Sequence, residues 1–421
     1  MDKFHLIGIK GTGMSALAGI LQDLGGEVTG SDVVEDFFTT KKLFNRGIKP
    51  LVFDENNIVD DKIYIASSCY QEDNPEVKKV KKMNLPFFYY HDFIEYYFQK
   101  TKIGVAGTHG KTTTTSLLAH FMKDKKIAYL IGDGSGEATK DYQYFIFEAC
   151  EYKNHFLNYT YDYLIINNID YDHPDFFLSM DDVKESFQKA ANHANTLIIN
   201  ADDKWCSMIK HANKITFGMN DADVSCKIIE NHLNGYNIEV QLFGKTKKLF
   251  LPFAGEYMVY NFLAALTTFY LNGMDTDNIQ KKLLNYQKPS RRMEEYYYYD
   301  NIIIDDYAHH PKEIEECLKA IEQMHPTKDL IIVFQPHTYT RTFALEKEFQ
   351  RVFKDYELYL ARTFTSKREE KNKDYDNRVF NIFPNAKIFN IQDIKEFKKR
   401  HNSVILFLGA GNIDKYISEF L

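Results

Sequence analysis

A chain of 421 residues, 44% hydrophobic and 26% charged, is long enough for two or three domains, each with its own core. A net charge of −7 argues against a broad nucleic-acid or anionic-membrane surface but leaves room for a local basic pocket for phosphates. Five scattered cysteines (Cys69, Cys150, Cys206, Cys226 and Cys317) form no CxxC pair, which argues against a disulfide framework or a zinc cluster. The longest apolar runs, such as 404–408, fall far short of the ~20 residues that span a bilayer, so no membrane insertion is expected. Asp2, Lys3, His5 and Lys10 interrupt the order of a signal peptide, and a cytoplasmic protein is predicted.

Short apolar runs alternate with amphipathic stretches, the pattern of stacked βαβ units. Residues 4–9 read as a strand, and Gly8-Ile9-Lys10-Gly11-Thr12-Gly13 as a turn into a helix over 14–24. A second strand starts at residue 27 and runs into Ser31-Asp32. The spacing GxxGxG is not the dinucleotide GxGxxG. It predicts a backbone that approaches a pyrophosphate closely, whether of NAD or of another nucleotide diphosphate, or else a plain tight turn. Gly8, Gly11 and Gly13 are the candidate contacts, with Asp32 placed as a ribose-binding acid would be.

A second block begins near Lys102, with a strand at 103–106, a loop at 107–111 and a helix over 112–123. The loop Gly107-Thr108-His109-Gly110-Lys111-Thr112-Thr113 turns several backbone N–H groups toward one anion, and the helix N-terminus adds partial positive charge. Lys111 is placed to reach terminal phosphates and the Thr112 hydroxyl to ligate Mg²⁺. The loop is a shortened variant of GxxxxGK[ST]. Glu148 ends a strand at 144–147, where open α/β sheets place ligand groups. Asp172-His173-Pro174 follows a strand at 163–166 and the turn Asn167-Asn168-Ile169-Asp170. Glu148 and His173 are candidate Mg²⁺ ligands; the alternative makes Glu148 and Glu151 surface carboxylates and His173 a turn residue.

A third block follows Lys288-Pro289-Ser290-Arg291-Arg292, with strands at 302–305, 330–334 and 404–408. Asp305-Asp306-Tyr307-Ala308-His309-His310-Pro311 and Phe334-Gln335-Pro336-His337-Thr338-Tyr339-Thr340-Arg341-Thr342 each follow a strand and would line one rim of the sheet. His309 and His310 read as paired metal ligands, adenine-stacking groups or hydrogen-bonded turn residues. His337 and Arg341, four apart, share a face if helical and then suit a carboxylate. Linkers near 98–102 and 286–291 give domains at 1–100, 101–287 and 288–421. A nicotinamide-dependent dehydrogenase would use the first block alone and leave the Lys111 loop and third domain unexplained. A non-enzymatic nucleotide-binding regulator is a third class.

The first glycine turn, the Lys111 loop, Phe147-Glu148-Ala149-Cys150-Glu151, Asn168 with Asp172-His173, Arg291-Arg292, both third-block motifs and Gly409-Ala410-Gly411-Asn412-Ile413 resemble, in order over the whole chain, the Mur ligase family, and within it the UDP-N-acetylmuramate–L-alanine ligases. The Lys111 loop is common to all Mur ligases and folylpolyglutamate synthetases; the N-terminal block and the third-block motifs are more particular. The resemblance implies an α/β fold of three domains: a Rossmann-like UDP-sugar domain, a P-loop ATPase-like centre and a Rossmann-like C-terminal domain. It implies ATP-dependent joining of L-alanine to UDP-N-acetylmuramate through an acyl phosphate, with Mg²⁺, in peptidoglycan precursor synthesis. The alternative is a murein peptide ligase attaching a recycled peptide.

Carried over to this chain, the resemblance implies that Lys111, His173 and Arg292 serve catalysis and that Thr112, Glu148 and His173 hold Mg²⁺. It implies ATP contacts from Gly107, Thr108, His109, Gly110, Lys111, Thr112, Thr113, Asn261 (adenine) and Asp306 (ribose), and an alanine pocket of Tyr307, His337 and Arg341. Gly8, Gly11, Gly13 and Asp32 fall to the UDP-sugar. Three positions depart from the family pattern: Met258, which cannot donate a hydrogen bond to adenine; Met293, where Phe is usual; and Asn412, where Asp is usual. Gln188-Lys189 stands where sister ligases carry a carbamylated lysine, and no modification is expected here.

Overall fold

The computed structural model describes residues 2–365 and 369–420 and contains three sheets in chain order. The first has five parallel strands, β1 (Lys3–Ile7), β2 (Glu27–Asp32), β3 (Leu51–Val52), β4 (Ile63–Ala66) and β5 (Phe87–Tyr89), in the order β3-β2-β1-β4-β5. Chain order reverses beside β1, so the crevice at the ends of β1 and β4 is the ligand position of a doubly wound sheet. The glycine turn leaves β1 at that point.

The central sheet holds β6 (Thr101–Ala106), β7 (Ile127–Leu130), β8 (Gly136–Ala138), β9 (Tyr144–Glu148), β10 (Tyr161–Ile166), β11 (Ala194–Asn200), β12 (Lys214–Gly218), β13 (Val224–His232), β14 (Gly235–Leu242) and β15 (Lys245–Leu251). Their order is β15-β14-β13-β12-β11-β10-β6-β9-β7-β8. The strands carrying the site, β9, β6 and β10, are adjacent and parallel, so their C-terminal ends open on one rim. Alternating β13–β15 form an antiparallel extension.

The third sheet holds β16 (Glu294–Tyr298), β17 (Asn301–Asp306), β18 (Asp329–Phe334), β19 (Glu357–Leu360), β20 (Lys387–Ile388) and β21 (Ser403–Leu408), in the order β16-β17-β21-β18-β19-β20. Only β16 pairs antiparallel. β17 and β21 are buried along their whole length, which is why 302–304 and 404–408 read as apolar runs with no alternation.

The first two sheets share a core. Phe98 stacks on Phe145 at 3.9 Å between ring centres, and the helix Thr12–Asp23 packs on β8. Arg46 ties this contact by ion-pairing with Asp23 at 2.8 Å and donating to the Gly136 carbonyl at 2.9 Å. The third sheet has its own core, to which the central domain adds buried Ala254 and the partly buried rings of Tyr171 and Tyr257. Polar contacts cross its junction with the centre, Arg292 with Thr112, His109 with Glu313 and Arg341 with Asp172, and the site lies there. Among the described residues, no helix is long and apolar enough to cross a membrane.

Candidate active site

β1 ends at Ile7, and the chain must turn at once to start the helix Thr12–Asp23. Gly8 makes the turn at φ +87° with the Tyr70 ring against it, so a side chain there would meet both backbone strain and that ring. Gly11 caps the helix, and Gly13 lies in its first turn beneath Tyr90. The Asp32 carboxylate is buried and accepts from the backbone N–H of Lys10 at 2.7 Å and of Val33 at 2.8 Å, and from the Tyr70 hydroxyl at 3.0 Å. Asp32 therefore braces the turn from below. Lys10 grips the loop after β2, donating to the carbonyls of Val33, Val34 and Glu35.

The second turn follows β6. Gly110 sits at φ +80° as N-cap of the helix Lys111–Phe121, and a Cβ there would strike the Asn261 amide oxygen. Asn168 secures the loop: its side-chain oxygen accepts from the His109 N–H at 2.8 Å, and its amide donates to the His109 carbonyl at 3.1 Å. The Lys111 ammonium folds back to donate to the carbonyls of Gly107 (2.5 Å) and Thr108 (3.1 Å), and lies 3.0 Å from Glu151. Burial disfavours that ammonium, but the Glu151 carboxylate outweighs it and raises the lysine above its ordinary pKa. Burial likewise works against the Glu151 carboxylate, which Lys111 and His173 nevertheless hold down at about 2.

Two carboxylates three residues apart thus take different partners. Glu148 accepts from the Gly132 N–H and from the Thr112 hydroxyl, and burial pushes its pKa up. Glu151 pairs with Lys111 and stands 3.3 Å from His173 Nε2. The reading of Glu148 and Glu151 as surface carboxylates does not survive, since Glu151 is 2% exposed. Glu151, read from sequence as a possible surface carboxylate and as the end of the Phe147–Glu151 motif but given no site role, takes its role from its 3.0 Å pair with Lys111.

The third domain supplies the other wall. Arg292 reaches across to donate to the Thr112 hydroxyl at 3.2 Å. Its neighbour Arg291 turns inward, binding Asp305 at 3.1 Å and the carbonyls of Gly409 (2.7 Å) and Gly411 (2.8 Å), so it staples the C-terminal glycine turn to the linker. Tyr307 lies near both guanidinium carbons, each 5.2 Å from its ring centre. His309 contacts Tyr307 and His337 edge to face, and His337 stacks on Phe364, so Tyr307 and His337 do gather in one place.

Arg341 behaves differently from a free carboxylate receptor. It stands in the helix Tyr339–Ala344, with His337 just before it, and Nε and Nη2 bind Asp172 at 2.7 and 3.3 Å while Nη1 meets His337. A residue 169 positions from its partner left no trace in local spacing. His310 is also turned inward: Nε2 donates to the Tyr171 carbonyl at 3.1 Å and Nδ1 accepts from Lys312 N–H at 3.3 Å, capping the helix Pro311–Met324. That matches the hydrogen-bonded turn histidine among the readings for this pair. His109 lies between Glu313 (3.3 Å) and Asp170 (3.6 Å); burial opposes its charge, but these carboxylates prevail and raise it to about 9.

Between the central and third domains is a cavity of about 320 Å³. His109, Gly110 and Thr113 line its loop end; Met258, Asn261, Asp306, Lys288 and Cys317 line other parts of its wall. Asn261, on the helix Glu256–Leu271, accepts from the Thr114 hydroxyl at 3.2 Å, and its amide nitrogen faces the Met258 sulfur. Asp306 accepts from the N–H of Met293 and of Ala308, both at 2.8 Å, tying the linker to β17.

Family models described as Mur ligase family, catalytic domain (residues 3–100), Mur ligase middle domain (105–269) and Mur ligase, glutamate ligase domain (291–411) together match nearly the whole chain. The chain belongs to the Mur ligase family. It is 40% identical over 423 residues to a UDP-N-acetylmuramate–L-alanine ligase of Lacticaseibacillus casei, covering 98% of this chain and 96% of that one. It is 39% identical over 429 residues to the like-named protein of Lactiplantibacillus plantarum, with 99% and 98% covered. Among solved structures, the UDP-N-acetylmuramate-alanine ligase of Thermotoga maritima superposes with a TM-score of 0.82 at 25% identity, covering 100% of this chain and 98% of that one. A murein peptide ligase of Psychrobacter arcticus shares the fold, with a TM-score of 0.75 at 18% identity and the same coverage. In this Mur ligase the three-domain α/β architecture is thus the family's own.

Proposed function

We propose that this Mur ligase joins L-alanine to the lactyl carboxylate of UDP-N-acetylmuramate with cleavage of ATP, in the cytoplasm, as a step of peptidoglycan precursor synthesis. The observation that carries the proposal is end-to-end similarity at 40% identity to a relative with that name. The domains are assigned to residues 1–100, 101–287 and 288–421. A carboxylate and an ammonium do not condense in neutral water, so the carboxylate must first be activated. A carboxylate oxygen attacks the γ-phosphorus and ADP leaves, giving an acyl phosphate. The alanine amine, having lost a proton, attacks the carbonyl carbon; the tetrahedral adduct then expels phosphate.

Catalysis of this kind is positioning and charge neutralisation. The loop 107–113 offers N–H groups at a helix N-terminus to the phosphates, and Lys111, kept protonated by Glu151, would turn from the Gly107 and Thr108 carbonyls to the transferring phosphoryl group. Arg292 brings a second cation to the same place from the third domain. Thr112 and Glu148, hydrogen-bonded to each other at the phosphate loop, would supply hard oxygens to Mg²⁺, and His173, whose Nε2 lies 3.3 Å from Glu151, would supply an imidazole. A cation held there would neutralise charge on the phosphates. Asn261 is assigned to adenine and Asp306 to ribose. Gly8, Gly11 and Gly13 are assigned to the UDP-sugar pyrophosphate, with Asp32 bracing their turn.

Tyr307, His337 and Arg341 are assigned to the alanine pocket, Arg341 largely by orienting His337. Phosphate release measured with UDP-N-acetylmuramate, ATP and in turn L-alanine, glycine, L-serine and a tripeptide tests the proposal. Turnover with L-alanine is expected; turnover with the tripeptide alone would overturn it. Lys111→Ala should abolish ligation in a folded protein, since losing one preorganised charge costs roughly 3–4 kcal/mol in the transition state. Near-normal turnover in that variant would remove the phosphate-loop assignment.

A further inference from the structure

Besides His109, the cavity between the central and third domains is lined by one arginine and two lysines: Arg292, Lys288 and Lys312. Arg292 has the Thr112 hydroxyl at 3.2 Å, and Lys312 lies 3.9 Å from Asp170. Lys288 differs from both. Among the described residues its ammonium has no hydrogen-bond or ion-pair partner, and its nearest identified contact is the Phe253 ring, 5.9 Å from nitrogen to centre. A half-buried ammonium with no acceptor is costly, and a four-carbon stem on a linker has water within reach if it turns the other way. The burial is felt, since it pushes the lysine pKa below its ordinary value. A side chain held this way is satisfied once an acceptor enters the cavity.

The location specifies which acceptor. The groups that act electrostatically on Lys288 are Asp306, Glu295 and the Cys317 thiol, all in the third domain. Glu313 and Asp306 act on Arg292 as well, ahead of Glu148, but Arg292 is fixed at the phosphate loop by its 3.2 Å hydrogen bond to Thr112. Lys288 shares the cavity wall with Asp306 and has no such bond to the loop among the described residues, which sets it at the nucleoside end and Arg292 at the phosphate end. We propose that Lys288, carried by the interdomain linker itself, donates a hydrogen bond to a ribose hydroxyl oxygen of ATP beside Asp306. The pair is complementary: a ribose hydroxyl donates a hydrogen bond to the Asp306 carboxylate while its oxygen accepts one from the Lys288 ammonium. The contact also places the linker in direct touch with the nucleotide, so nucleoside binding restrains the segment through which the third domain is attached. The inference rests on reading this cavity as the ATP site.

Periodate-oxidised ATP tests it, because that probe carries aldehydes where the ribose hydroxyls were. The unprotonated Lys288 amine attacks an aldehyde carbon, water leaves to give an imine, and added cyanoborohydride supplies the hydride that reduces it to a stable secondary amine. Peptide mass spectrometry of the full-length enzyme should find the adduct on Lys288 and should find it suppressed by excess ATP. In steady state, Lys288→Met should raise the KM for ATP roughly 10-fold, the loss of one charge-assisted hydrogen bond, with kcat within about twofold and the KM for L-alanine unchanged. Lys288→Arg should recover part of the affinity. An ATP-protected adduct on Lys111 or Lys312 with none on Lys288, or an unchanged KM for ATP in Lys288→Met, overturns the proposal. Wild-type binding of ATP that survives both Asp306→Ala and Lys111→Ala would instead overturn the reading of the cavity.

Discussion

The Arg341–Asp172 pair joins the third domain to the turn that carries His173, and its removal should loosen that joint. Both side chains are nearly inaccessible, at 2% and 7% exposed, and two guanidinium nitrogens bind the two carboxylate oxygens at 2.7 and 3.3 Å. In Arg341→Met the Asp172 carboxylate keeps the His173 N–H at 2.7 Å but loses its cation. Stripping one partner from a buried pair costs roughly 3–5 kcal/mol, and the retained backbone hydrogen bond argues for the lower end. About 3 kcal/mol is a factor of roughly 150 in the docking equilibrium. Hydrogen exchange over 339–344 and 170–174 should therefore speed up by about that factor, while exchange in β1 to β5 stays as in the wild type. Asp172→Asn should show a comparable effect, and the double variant should cost much less than the sum, because no charge remains unpaired. Strictly additive effects, or a raised KM for L-alanine with exchange unchanged, would refute this account and make Arg341 a direct substrate receptor.

The His109 clasp gives a pH dependence with a definite sign. Its docked value of about 9 lies above the ordinary 6.5, so the stabilisation is complete below about pH 6.5 and is lost as the pH rises through 9. The shift corresponds to roughly 3 kcal/mol at most. In the free enzyme, protection of the Pro311–Met324 helix start should fall between pH 7 and 9.5, and Glu313→Gln should flatten that profile; a pH-independent wild type would count against the clasp. Gly8→Ala should weaken UDP-sugar binding at least 10-fold while ATP binding is retained, because a methyl group at φ +87° also meets the Tyr70 ring. Calorimetry with each ligand separates the two, and tight NADH binding without UDP-sugar binding would reverse the assignment of the first domain. Small-angle scattering checks whether the linker near Lys288 to Ser290 acts as a hinge: a smaller radius of gyration is expected when ATP and UDP-sugar are added to an active preparation that begins open, and an unchanged radius would count against hinge closure.

The strands around the site were legible from sequence because each is a local fact. A run such as 404–408 is apolar because both faces of β21 are covered, and the expected strand differs from Ser403–Leu408 by a single residue at its start. The Lys111 loop was equally local: glycines, lysine and threonines in order between a strand and a helix permit few conformations. Local order also placed the glycine turn after β1, though not the inward turn of the Asp32 carboxylate onto Lys10 and Tyr70. What no spacing reveals is which charged group meets which across sheets. Glu148 and Glu151 look alike in sequence, and only packing sends one to Gly132 and Thr112 and the other to Lys111 and His173. Arg341 reads as a free cation until the third domain is set against the second, where it finds Asp172. His109 with Glu313, and Lys288 in the cavity wall, depend on the same juxtaposition. The residues of each strand and turn follow from steric and hydrophobic patterns a few positions long, whereas the electrostatics of the site depend on distances between groups from 16 to 204 positions apart, and those exist only once the strands and sheets have packed.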